Sequence, residues 1–384
     1  MTLWTFIWRN LGRNRLRTFL TTLAISFSIF LVCAVMTLPS VRDAILNRAA
    51  NALRLSVHHK AGLTYMLPLA YVQRVRTVPH VVGVNHWSWY GGIYSEPKDL
   101  FPNFAIDPET VGEVWPDYGW DPTVLEAFQH TRNGALVGLR TMKKFNWKIG
   151  DEITLRGSVF PVNLTLKIVG EIPEKGNPVV LWFPRQYLEE AMQPHGGWGK
   201  IGMLWVRVDR PENLNTVMAA IDDLFRNSEA ETASETERSF VANFLSSFDG
   251  LITVIMLVGF LVVAAIVLIA ANTAAMSVRE RIGEVAVLKT IGFRRRTVFL
   301  LLLGEGLLMA LVGGVLGAAP AYLILNAGKS SWSPFLGPLG MFIMPVSVMI
   351  QGLFLALLVG FLSGVIPARG AAQLNVAMAL RQLA

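Results

Sequence analysis

The amino-acid sequence predicts an α-helical membrane protein with four transmembrane helices, one followed by three, and a mixed α/β extracytoplasmic domain inserted between spans 1 and 2. Three observations lead there. Hydrophobic residues make up 53% of the 384-residue chain and the mean hydropathy is positive, too apolar for an ordinary soluble protein of this length. The apolar residues gather in four runs: 18–38, 251–276 and 342–367 carry no charge, and 297–325 carries only Glu305. Each provides the roughly 20 helical residues that cross a hydrocarbon core of about 30 Å. Residues 39–250, between the first two runs, have the mixed composition of a folded soluble domain.

Residues 1–17 are read as a cytoplasmic interfacial helix. Leu3, Trp4, Ile7, Trp8 and Leu11 share one face, with Arg9 and Arg13 opposite, the pattern of a helix lying at headgroup depth. Span 1 (18–38) is read as a retained anchor, because its apolar run is longer than a usual signal-peptide core and no small-x-small cleavage site precedes Pro39. Residues 41–55 are rich in Ala and Leu and free of Pro and Gly, so span 1 is expected to continue outward as a helical stalk. Residues 240–248 are expected to form a second stalk leading into span 2.

Charge sets the sidedness. Arg9, Arg13, Arg15 and Arg17 precede span 1. Arg279, Arg281, Lys289 and Arg294, Arg295 and Arg296 lie in the 277–296 segment between spans 2 and 3, and Arg369 and Arg381 lie in the 368–384 tail. The 326–341 loop between spans 3 and 4 has only Lys329. The positive-inside rule makes both termini and 277–296 cytoplasmic, and the 39–250 domain periplasmic or extracellular in a multi-pass cell-membrane protein. That domain has 21 Lys and Arg against 24 Asp and Glu, so the chain's net charge of +7 sits at the cytoplasmic edge. This favours membrane lipids as partners and argues against nucleic acid.

Within 39–250 the patterning predicts a helix over 69–77, strands over 81–87, 134–138, 153–155, 164–169 and 203–208, helices over 139–145 and 214–225, and an irregular segment over 97–122. Eight of the eleven tryptophans fall here, Trp87, Trp89, Trp115, Trp120, Trp147, Trp182, Trp198 and Trp205. They are expected mainly in the core, with a binding surface as the alternative. The chain shows no chemistry of its own. Gly328-Lys329-Ser330 resembles the end of a phosphate-binding loop, but position 323, where the first glycine belongs, is Leu323. The six histidines form no metal-ligand spacing, no nucleophile motif is present, and the lone Cys33 lies inside span 1. A non-catalytic chain without cofactor or metal is expected.

The segment 277–296 carries the most information. It reads as one helix ending at Gly292, which suits a C-cap. Val278, Ile282, Val285 and Ala286 share one face, while Val287 and Ile291 lie opposite beside Glu280 and Glu284. A plain surface helix has one apolar face; two suggest contact both with its own bundle or the membrane and with another protein. Glu305 is a costly carboxylate about two turns inside span 3, and so a candidate intramembrane polar site or a polar packing contact. Gly313 with Gly317, and Gly360 with Gly364, are small-xxx-small pairs that let helices approach closely.

These residues resemble the MacB/FtsX-type family of ABC transporter permeases. The match is strongest over 279–317, on Arg281, Glu284, Leu288, Lys289, Ile291, Gly292, Glu305, Gly313 and Gly317, with Thr290 replacing the commoner Ala. The tail from Pro367 to Arg381 is similar to the family's close, with Val376 at its usual proline. Ala105 to Glu109, Val137-Gly138 and Gly150-Asp151 look like the family's periplasmic core domain.

The resemblance implies a permease subunit working by mechanotransmission. Arg279, Glu280, Arg281, Ile282, Glu284, Val287, Leu288, Lys289, Ile291 and Gly292 would form a coupling helix for a separate cytoplasmic ATPase dimer, which binds the ATP and Mg. A second permease chain completes a homodimer or heterodimer, and a periplasmic adaptor or substrate-binding partner is a further candidate. Export or extraction of an amphiphilic, peptide or lipid-linked substrate is the leading expectation. An FtsX-like regulator of an extracytoplasmic partner, such as a cell-wall hydrolase, is the alternative.

Overall fold

The computed structural model describes residues 14–50, 52–99, 101–173, 175–197, 199–327 and 344–374. Nearly all of the expected interfacial helix, most of the 326–341 loop, Trp198, and the tail positions Val376 and Arg381 lie outside the described residues. Helix α1 (Arg15–Ala50) leads to strand β1 (Arg54–His59). Then follow β2 (Leu67–Pro68), α2 (Tyr71–Arg76), β3 (Val81–Trp89), β4 (Asn103–Ile106), α3 (Val111–Val114), α4 (Pro122–His130), β5 (Gly134–Gly138), α5 (Leu139–Phe145), β6 (Glu152–Arg156) and β7 (Asn163–Ile172). The domain is completed by β8 (Leu181–Pro184), α6 (Arg185–Met192), β9 (Lys200–Ile201), β10 (Met203–Val208), α7 (Leu214–Leu224), β11 (Thr232–Thr236) and α8 (Glu237–Ser246). Last come α9 (Asp249–Glu280), α10 (Ile282–Thr290), α11 (Arg295–Ala327) and α12 (Val346–Gln373).

Helices α1, α9, α11 and α12 are long and apolar enough to cross a membrane. Helices α1, α9 and α11 run beyond their apolar stretches at both ends, because a helix need not end where the hydrocarbon does, and α12 starts later than expected, at Val346, and runs on to Gln373. The expected stalk is shorter than predicted. Helix α1 ends at Ala50, and from Arg54 the backbone hydrogen bonds are taken by β1, which pairs with β10 and β11.

Small residues set the packing of the helix bundle. A Cβ on Gly314 would stand 2.6 Å from the Ala356 Cβ, and one on Gly313 2.9 Å from Ile25. A Cβ on Gly317 would collide with the Ser26 carbonyl, and one on Gly352 with the Cys33 sulfur. Gly313 and Gly317 thus seat α11 against α1, while neighbouring Gly314 turns toward α12. Arg42 of α1 also pairs with Asp249 of α9 at 2.7 Å.

The α/β domain is built on a nine-stranded sheet of order β11-β1-β10-β3-β4-β8-β5-β7-β6. Only β4–β8 and β5–β7 are parallel. One face carries two apolar clusters, the first around Leu55, Val57, Val84, Leu204 and Val206, the second around Tyr90, Ala105, Leu155, Leu166 and Phe183. The other face is aromatic. Trp115, Trp182 and Trp205 are buried there, and the Trp87 ring lies 5.4–5.7 Å from all three. Apart from exposed Trp89, the described tryptophans serve as core. Residues 97–122 are less irregular than expected, since they contain the central strand β4.

His86 of β3 lies on the face of the two apolar clusters, opposite Leu204. It is 7% exposed, and neither ring nitrogen has a hydrogen-bond partner. Burial first, then the positive charges of Arg185 and Arg76, lower its pKa to about 3. A histidine with an ordinary pKa near 6.5 in the unfolded chain is then more easily protonated there than in the fold. The associated stability is complete above pH ~6.5 and is lost as pH falls toward about 3. By pH 5 the loss amounts to about 2 kcal/mol. Urea unfolding followed by tryptophan fluorescence should show this weakening between pH 7.5 and 5, and His86→Leu should flatten it.

Candidate functional site

Residues 277–292 are divided between the end of α9 and the separate helix α10, and are not the single helix expected. Residues 277–280 belong to the last turn of α9. Arg281 leaves helical geometry (φ −110°, ψ 16°), and α10 starts at Ile282. The break turns Arg281 into the bundle. Its NH1 donates to both carboxylate oxygens of Glu305 of α11, at 3.1 and 3.0 Å. Arg281 is 6% exposed and Glu305 9%. An intramembrane carboxylate needs such a partner, because an isolated buried charge costs several kcal/mol.

Two further contacts hold this element. Glu280, next to the break, pairs outward with Arg17 of α1 at 2.8 Å. At the other end, the Lys289 ammonium donates to the Leu374 carbonyl at 2.7 Å, just beyond the end of α12, where helix carbonyls lack intrahelical donors. Desolvation, then the nearby charge of Arg295, holds the Lys289 pKa below its ordinary value. Within a dozen residues the chain around the break therefore touches α1, α11 and the end of α12. The C-terminus of α10 is closed by a Schellman motif. Gly292 takes φ +102°, its N–H bonds the Lys289 carbonyl, and the Phe293 N–H bonds the Leu288 carbonyl, both at 3.1 Å. This left-handed position strains any residue with a Cβ.

The two apolar faces differ. Val285 and Ala286 are buried, and Ile282, Glu284 and Leu288 are half-buried. Val287, Ile291 and Phe293 are exposed, Ile291 at 70%, flanked by exposed Arg279, Arg294, Arg295 and Arg296. A crevice of about 60 Å³ opens beside the ion pair, lined by Arg17, Thr21, Ser277, Arg281, Glu305 and Ser363 among others. It has room for a few waters, far below the roughly 300–1,000 Å³ of a ligand pocket.

Of the packing glycines, Gly313 and Gly317 meet α1. A Cβ on Gly360 would stand 2.5 Å from Ala310, and one on Gly364 3.2 Å from Leu303. The sequence reading missed Arg17 as a partner. Nothing local marks a pair 263 positions apart.

Residues 18–224 match the model of the MacB-like periplasmic core domain, more than half of the chain. The chain belongs to the MacB/FtsX-type family of ABC transporter permeases. Residues 255–376, from α9 to just past α12, match the FtsX-like permease C-terminal region. Over an alignment of 415 positions the permease is 24% identical to an uncharacterized ABC transporter permease of Methanocaldococcus jannaschii, covering 98% of this chain and 97% of the relative. Among solved structures it is similar to the extracellular domain of the noncanonical ABC-type transporter YknZ from Gram-positive bacteria, with 9% identity, TM-score 0.35, and coverage of 47% of this chain and 99% of that one. A second is a domain of a Porphyromonas gingivalis protein described as a permease, with 14% identity, TM-score 0.30, and coverage of 47% and 87%.

Removing one partner of the buried pair leaves the other uncompensated. Arg281→Met should lower stability by about 3–5 kcal/mol, read as a lower melting temperature in detergent. The double variant Arg281→Met with Glu305→Leu should recover most of that loss.

Proposed function

We propose that this permease is the transmembrane subunit that couples ATP hydrolysis by a separate cytoplasmic ATPase dimer to movement of its α/β domain. The observation that carries this is the coupling element. One apolar face is buried on the bundle, and a second, of Val287, Ile291 and Phe293, is open and rimmed by arginines. Such a face suits a short helix seated in a partner's groove. Its ties to three helix segments would spread a push on α10 through the bundle.

The arginine and lysine distribution supports a cytoplasmic α10 and cytoplasmic termini, with the domain on the far side. ATP and Mg would be held by the partner, and the working unit would contain a second permease chain. The family identity and the small crevice beside Glu305 together favour motion passed across the membrane over a solute route through one chain's bundle. In this reading the domain exports or extracts an amphiphilic, peptide or lipid-linked substrate beyond the cytoplasmic leaflet, with or without a periplasmic adaptor. The same small crevice suits the second reading, a non-transporting regulator of an extracytoplasmic enzyme. Copurified partners separate the two, an adaptor or cargo against a cell-wall hydrolase.

Val287→Asp combined with Ile291→Asp tests the docking face. Both residues are exposed, so the melting temperature should stay unchanged. Burying two charges in a docked interface should reduce copurified ATPase by about tenfold or more. Undiminished ATPase recovery with unchanged ATP turnover would overturn the proposal.

A further inference from the structure

Beside the β1–β11 ladder, side chains also join the entering and leaving segments of the α/β domain. Arg54 is the first residue of β1, shortly after α1, and Glu237 is the first residue of α8, which runs almost to α9. Arg54 is only 4% exposed, and every nitrogen of its fork donates a hydrogen bond. Its Nε donates to Glu237 at 2.6 Å. NH1 donates to the Val114 carbonyl at 3.2 Å and also to Asp117, and NH2 reaches the second Asp117 oxygen at 3.1 Å. The guanidinium carbon lies 5.6 Å from the Tyr118 ring centre. Burial alone would lower the Arg54 pKa, but the bond to Asp117 and the charge of Glu237 outweigh it and hold the group above its ordinary value.

Helix α8 is otherwise lightly seated. None of its ten residues is buried. Beyond Glu237, its seat on the sheet includes the Phe240 ring, 5.6 Å from Trp205, and Asn243, which donates to Glu235 at 2.7 Å. Glu235 in turn pairs with His58 of β1 at 3.1 Å. A bonded fork on a rigid sheet is a stiff joint, whereas an amphipathic helix with no buried side chain peels readily.

Resting on the coupling function proposed above, we propose that Arg54 is a positioning residue. It clasps the entering strand to the leaving helix, so that displacement arriving through α1 or α9 moves the whole sheet as one body instead of peeling α8 from it. Charge alone is not enough for this role. A lysine cannot hold Glu237 and Asp117 through one planar fork.

The test uses the full chain with its copurified ATPase in lipid nanodiscs. Spin labels are placed at exposed Gln129→Cys and Met276→Cys, and Cys33 is left buried in place. Glu237→Ala removes the tie to α8 while Arg54 keeps Asp117 and Val114, so the domain remains folded. The distance between labels is measured nucleotide-free and ATP-trapped, alongside ATP turnover and amide exchange of residues 237–246. The expected result is unchanged ATP turnover, loss of most of the nucleotide-driven distance change, and exchange in α8 faster by about tenfold, as for loss of one charge-assisted hydrogen bond. Arg54→Lys should behave in the same way. A Glu237→Ala complex that moves as fully as the parent overturns the clasp, even if α8 exchanges faster. A parent complex that shows no nucleotide-driven change overturns the coupling function, and the clasp with it.

Discussion

The membrane-embedded part of this permease is organised around one buried ion pair, Arg281 with Glu305. A carboxylate inside a span is tolerated only with a partner. Glu305 draws its partner from the point where α9 would otherwise continue straight into the next helix. That demand ends α9 at Glu280, restarts the chain as α10, and fixes where α10 lies on the bundle. Glu280, displaced outward by the same break, finds Arg17. This outer pair is exposed and weak by comparison. The two adjacent residues are thus held with unequal strength, the inner one as a pivot and the outer one as a contact that gives way more easily.

Around this pivot the helices stay close because glycines and alanines bring backbones together. α11 presents small residues on two faces, Gly313 and Gly317 toward α1 and Gly314 toward α12. Without a hydrophobic driving force between helices in lipid, such dispersion contacts and the few polar ties carry the association. The bundle is therefore rigid along α11 and fastened to α10 mainly at its ends, through Arg281 and Lys289. Between those ends the short helix packs through Val285 and Ala286.

Much of this was legible in the sequence. The apolar runs mark the four spans, and β3, β5 and β10 stand out because Val, Leu and Trp alternate or cluster between turn residues. β1, β4 and β11 do not. Arg-Leu-Ser-Val-His-His and Thr-Ala-Ser-Glu-Thr look polar alone and become strands through tertiary pairing, β1 with β10 and β11 on its two sides and β11 with β1. β4 hides among prolines and aspartates. In the candidate site, the mixed faces of α10 and the cost of Glu305 were both visible. The pairing of Glu305 with Arg281 was not, because residues 24 apart across a helix break share no local pattern. The single-helix reading of 277–292 missed the break at Arg281 for the same reason, since a tertiary charge contact overrode local propensity.

The order of the sheet has a consequence for how the domain is made. β1, the first strand synthesised, lies between β10 and β11, the last two of the large sheet. Leu55 finds its neighbours only once Val206 and Thr236 exist. Such distant pairing carries a high loop-closure cost and slows folding. During synthesis the entering strand therefore waits unpaired on both edges until nearly the whole domain has emerged. Its final partner is separated from α9 only by the short helix α8, so closure of the sheet and arrival of the second membrane helix fall in the same short interval of translation.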